Sequence, residues 1–154
     1  MAEQKIILAS SSAQRKILME NLNVPFEVYP ADIDEKAIRD EDLKVRAEKI
    51  ARAKAEKVIS ERGGIIIAAD MFLDFNGQVM EKPKDIDEAK QMLQGLSGHK
   101  FNSYTGFCYI DKQNNIDFST AVVTNSALRT LSEAEIDQYV RKFPVTTWAG
   151  AFSA

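Results

Sequence analysis

Several short stretches gather side chains suited to handling a phosphate. Ser10, Ser12 and Arg15 lie between an apolar run and a helix-like segment, so hydroxyls and a guanidinium meet at a candidate helix start. Helix N-termini offer free N–H groups to anions, and the arginine fork matches phosphate oxygens. The plainer reading is a serine-rich cap with a surface arginine. Asp70 follows Ile65-Ile66-Ile67-Ala68-Ala69. A carboxylate ending so apolar a strand is costly to bury unpaired. The carboxyl ends of strands are also where α/β proteins commonly place ligands. The alternative is a turn aspartate. Asp32, Asp34 and Glu35 form an acidic loop, either solvated or a source of oxygen ligands for Mg²⁺. Lys54 and Lys82 have the reach to meet a phosphate, although most lysines are simply solvated. His99 follows a helix-ending glycine, where a contact with the helix C-terminus is the simpler role.

Composition removes other chemistries. The chain has 154 residues, 45% apolar and 28% charged, which suits a single domain with enough core to need no staple. Cys108 and His99 are the only residues of their types, which excludes internal disulfides and zinc sites built from several Cys or His. A net charge of -3 does not indicate a broad basic face for a nucleic-acid polymer. No P-loop or Rossmann glycine pattern is present. No apolar run is long enough for a membrane span, and the N-terminus does not read as a signal peptide, so the expected location is the cytoplasm.

The elements that must position these residues are legible in outline. Lys5–Ala9 reads as a buried strand, followed by a helix over 13–22 capped by Ser11 or Ser12. Phe26–Pro30 reads as a second strand, and the acidic stretch after it as a loop. A helix from about Glu41 to Arg62 carries Leu43, Ala47, Ile50, Ala51, Lys54, Val58 and Ile59 on one stripe, and Gly63-Gly64 stops it. The strand Ile65–Ala69 ends at Asp70, and Met71–Met80 reads as a hairpin turning at Asn76-Gly77. Asp85 with Glu88, and Ser132 with Glu135, read as capping boxes opening helices to Leu96 and Lys142. Two strands flank the turn Asp111–Asn115, and the last ten residues include a strand-like piece. The alternation predicts an α/β domain around a mixed sheet.

Taken in order, these segments resemble the Maf (septum formation protein) family of nucleotide pyrophosphatases, over essentially the whole chain. LASSSAQRKILM resembles the family's L-A-S-x-S-P-R-R-x-x-L-L through Leu8, Ala9, Ser10, Ser12, Arg15 and Leu18. Asp32, Asp34 and Glu35 match its acidic motif, Lys54 its A-x-x-K-A, and Asp70 its I-x-A-D-T. EKPKDIDEAKQMLQGLSG resembles its G-K-P segment through Lys82 and Pro83. Thr105 and Gly106 match the next motif, and WAGAF resembles the late K-A-G-x-Y. Gln14, Met71, Glu81, Phe101 and Trp148 depart from the pattern, and the chain stops at Ala154 where members continue into an I-Q-G segment.

The resemblance implies a single Maf-like domain over 1–154 lacking that C-terminal segment. It implies a Maf/HAM1-like (ITPase-like) α/β fold, with an elongated mixed sheet, flanking helices and a central cleft. It implies a hydrolase acting on acid anhydrides, converting NTP or dNTP to the monophosphate and pyrophosphate with Mg²⁺ or Mn²⁺. Substrates in the family include dTTP, UTP and modified nucleotides, and members commonly form dimers. The implied roles are catalytic for Asp70, Glu35, Lys54 and Lys82, phosphate binding for Ser10, Ser12 and Arg15, and metal binding for Glu35 and Asp70. The altered phosphate pocket keeps a second reading open, a nucleotide-binding or interaction protein with weak or no catalysis.

Overall fold

The computed structural model describes residues 4–153. In chain order it places β1 (Ile6–Leu8), α1 (Ala13–Glu20), β2 (Phe26–Val28), α2 (Leu43–Arg62), β3 (Ile65–Phe75), β4 (Gln78–Met80), α3 (Ile86–Leu96), β5 (Lys100–Asp111), β6 (Ile116–Ala127) and α4 (Glu133–Lys142). Among the described residues the strands form one sheet in the order β2-β1-β3-β5-β6, with β4 paired to β3. β1 runs parallel to both β2 and β3, while β4 is antiparallel to β3, so the sheet is mixed.

The chain divides into two compact units, Met1–Asp70 with Thr105–Val122, and Met71–Tyr104 with Val123–Ala154. In the first unit, α2 begins at Asp42, whose carboxylate accepts the Lys44 and Val45 N–H groups, and stops at Gly63 with φ of 65°. Its stripe of Ala47, Ile50, Ala51, Ala55, Val58 and Ile59 is buried, and Ile7, Ile66, Ala68 and Cys108 pack in the same unit's core. Each fully buried Ile or Val contributes roughly 1.5–3 kcal/mol. The small residues let the helix lie close to the strands. A Cβ on Gly106 would run into the Ala47 carbonyl, so this position requires glycine.

In the second unit, Ala89 and Leu93 of α3 pack with Ile136 and Val140 of α4, and Leu73, Met80, Leu96 and Phe101 form a second cluster. The Ser132–Glu135 capping box is complete. At α3 it is half made. Asp85 accepts the Glu88 N–H at 2.8 Å, but the Glu88 carboxylate reaches past the cap to the Lys84 N–H at 2.6 Å.

Three expectations are corrected. β3 does not end at Asp70 but continues to Phe75, so the hairpin and the preceding strand are one element of 11 residues. The apolar residues Phe72 and Leu73, both buried, keep the chain extended beyond the charge. The acidic loop contains a 3-10 turn at Glu35–Ala37, started by Asp34, whose carboxylate accepts the Ala37 N–H. The strand expected in the last ten residues is absent among the described residues. Val145–Thr147 and Ala149–Ala151 form 3-10 turns instead, and positive φ at Gly150 and Ala151 interrupts any extended run there.

Candidate active site

The segment leaving β1 builds the first half of the site. Ser12, rather than Ser11, caps α1 by accepting the Arg15 N–H at 3.4 Å. The buried Ser10 hydroxyl oxygen accepts from the Ser12 N–H at 3.2 Å and from Arg15 Nη1 at 3.1 Å. Arg15 Nη1 also donates to the Ala69 carbonyl at 2.9 Å, which ties α1 to β3 one residue before Asp70.

The second half is an ion cluster built on a buried pair, with a half-exposed glutamate beside it. Lys54 of α2 and Asp70 of β3 are each 7% exposed. Lys54 Nζ lies 2.7 Å from Asp70 Oδ1 and 2.8 Å from Glu35 Oε1. Burial is the largest influence on Asp70 and pushes its carboxyl above the ordinary value; Lys54 opposes the shift, Glu35 reinforces it and Arg15 opposes it. Burial lowers the Arg15 value while Asp70 and Glu35 oppose that change, and the guanidinium stays charged. A positive group that attracts phosphate and a carboxylate with raised proton affinity therefore stand in one unit.

The oxygen donors fit a hard divalent cation. Glu35 and Asp70 converge on one point, now held by an ammonium, and Mg²⁺ is commonly bound by one or two carboxylates together with substrate phosphates. Among the described residues there is no cluster of three or more His, Cys, Asp or Glu, so a closed protein cage is not present. Asp32 is exposed, and Asp34 commits its carboxylate to the 3-10 turn, leaving Glu35 as the member of the acidic loop that meets Lys54.

Thus Ser10, Ser12, Arg15, Glu35, Lys54 and Asp70 occupy one unit. Lys82 belongs to the other, where it is exposed beside the buried Pro83. Gln14 accepts from Ser12 Oγ at 3.3 Å. Phe101 is buried edge-on to Phe152, and Trp148 packs against the α3–α4 core, so both apolar departures serve packing. Arg46 went unnoticed in the sequence. It is buried on α2 and donates from Nε to the Ile38 carbonyl at 3.2 Å, steadying the chain just after Glu35. The signal was its place four residues before Ile50 and eight before Lys54, on the buried stripe. The Ala69 carbonyl, a backbone group, carries no residue signature.

Comparison with known proteins gives the family and the fold. A family model described as Maf-like protein matches residues 5–154. A dTTP/UTP pyrophosphatase of Alkaliphilus oremlandii (strain OhILAs) is 39% identical over 154 residues, covering 97% of this chain and 78% of the relative. One from Clostridium novyi (strain NT) is 34% identical over 151 residues, covering 96% and 79%. The solved structure of a HAM1 protein from Coxiella burnetii matches with a TM-score of 0.53 at 16% identity, over 81% of this chain and 73% of that one, a likeness of fold. With the family model spanning nearly its full length, the chain belongs to the Maf-like protein family.

Proposed function

We propose that the protein is a nucleoside triphosphate pyrophosphatase, cleaving dTTP, UTP or related modified nucleotides to the monophosphate and pyrophosphate. The observation that carries this reading is the buried Lys54–Asp70 pair, with Glu35 and Arg15 beside it. The dTTP/UTP pyrophosphatases among its relatives support the substrate choice.

In this reading Arg15 and Lys54 neutralise the triphosphate, and the hydroxyls of Ser10 and Ser12 hydrogen-bond its oxygens. Asp70 orients a water at the α-phosphorus and takes its proton on a carboxylate oxygen. Its raised proton affinity suits that task, since a base works best with a pKa near the working pH. Glu35 and Asp70 would hold Mg²⁺ or Mn²⁺, which when bound supplies charge stabilisation to the phosphate oxygens. Gln14 favours a second reading, nucleotide binding with little turnover, because it leaves one guanidinium fewer than the family motif at the Ser12 cap.

The test is a screen of pyrophosphate release over canonical and modified nucleoside triphosphates, with Mg²⁺ and with Mn²⁺, paired with calorimetric titration. Release from dTTP or UTP is expected. Tight binding without release would move the assignment to the second reading, and no binding would remove both.

A further inference from the structure

The ammonium of Lys54 touches both carboxylates assigned above to the metal, Asp70 Oδ1 at 2.7 Å and Glu35 Oε1 at 2.8 Å. Lys54 and Asp70 are both buried, so bulk water screens their contact little, while Glu35 meets the ammonium from the half-exposed side. Arg15 acts electrostatically on both acids. The two acids and two bases leave the resting cluster without net charge. A divalent cation entering it meets no uncompensated negative charge and has to displace a well-placed ammonium from low-dielectric surroundings. A polyphosphate changes the balance, because it offers the same ammonium a stronger set of oxygen acceptors.

Resting on the functional reading above, we propose that Lys54 is an internal competitor for the metal. It occupies the Glu35 and Asp70 carboxylates in the resting protein and releases them when a triphosphate draws its ammonium away. Metal and nucleotide binding are then positively coupled, and by linkage each strengthens the other by the same factor. A lysine that served only to neutralise phosphate would leave metal binding to the free protein unaffected by its removal.

The experiment reads Mn²⁺ binding to the full chain by electron paramagnetic resonance of the free ion, with no nucleotide present. Lys54→Met tightens Mn²⁺ by about tenfold, within the roughly 5- to 150-fold range of site-to-site couplings. Lys49→Met, which removes the partner of Asp40, leaves it unchanged. Unchanged or weaker binding in a Lys54→Met protein with the wild-type circular dichroism overturns the proposal, as does an equal gain in Lys49→Met. Should Lys54→Met not fold, Lys54→Gln is read in the same nucleotide-free assay: tightening of about fivefold or more supports competition, and unchanged or weaker binding contradicts it. Pyrophosphate release by the wild type reports separately on function. Tighter Mn²⁺ in Lys54→Met without any turnover in wild type would keep the competition and discard the pyrophosphatase reading.

Discussion

In the unit formed by Met1–Asp70 and Thr105–Val122, Ser10, Arg46, Lys54, Asp70 and Asp111 are buried along with the apolar core. In the other unit, the fully buried side chains among the described residues are apolar, from Phe72 and Leu73 through Leu93, Leu96 and Phe101 to Val145, and the one buried polar atom without a partner is Oδ1 of the partly buried Asp74. Burying a charge works against folding unless a partner compensates it; Arg46 and Asp111 use theirs on the Ile38 carbonyl and the Asn114 turn, which leaves Ser10, Lys54 and Asp70 as the buried polar groups that converge on one place. On the function proposed above, the first unit carries the chemistry and the second supplies packing, and each variant below tests that division.

The largest effect on stability is expected in the second unit. Phe101→Ala removes a buried ring packed edge-on to Phe152 and costs about 3–5 kcal/mol in urea unfolding. A loss below about 1 kcal/mol would show that this core is not what holds its unit together. Arg15→Ala should act mainly on ligand binding. Loss of charge-assisted hydrogen bonds worth roughly 1.5–3 kcal/mol predicts nucleotide affinity about ten- to a hundredfold weaker by calorimetry. Unchanged affinity would leave Arg15 as a tie between α1 and the Ala69 carbonyl. Ser132→Ala should cost about 1 kcal/mol in the same urea assay, because it opens the α4 capping box.

The smallest effect separates the units by the sign of a pH dependence. Asp70 binds its proton more tightly folded than unfolded, so its contribution to stability is fully present below the ordinary carboxyl value and is lost as pH rises through the elevated one. Glu135 is the reverse. The Arg129 hydrogen bond, followed by the Ser132 N–H, lowers it to about 2. Its contribution is present above the ordinary value of 4.5 and is lost as pH falls toward about 2. Thermal melts of wild type minus Asp70→Asn, and of wild type minus Glu135→Gln, should therefore slope in opposite directions with pH. Slopes of the same sign would erase the distinction.

Local signals were legible wherever one residue type decides the geometry. The Ser132 cap, the Asn76-Gly77 turn and the α2 stripe through Lys54 depend on neighbours a few residues away, and the structure has them where spacing places them, while of the two serines open for the α1 cap it uses Ser12. What could not be read depends on contacts distant in sequence. Asp70 reads as a strand end because an isolated carboxylate belongs there. It lies within β3 and meets its partner Lys54 from 16 residues earlier. The Ala69 carbonyl gains its role from an arginine 54 residues earlier. The chain end read as extended from its Val, Thr and Trp, yet positive φ at Gly150 and Ala151 coils it. Ser10, Arg15, Glu35, Lys54 and Asp70 were selected by their chemistry, and the fold gathers them in one unit.

The central claim is that Asp70 is the base of a pyrophosphate-releasing reaction. It is tested most directly by measuring pyrophosphate release from dTTP and UTP by wild type and by Asp70→Asn, both with the same circular dichroism. The account predicts release by wild type and a fall of about 10²- to 10⁴-fold in the variant. Equal rates in the two proteins would contradict it.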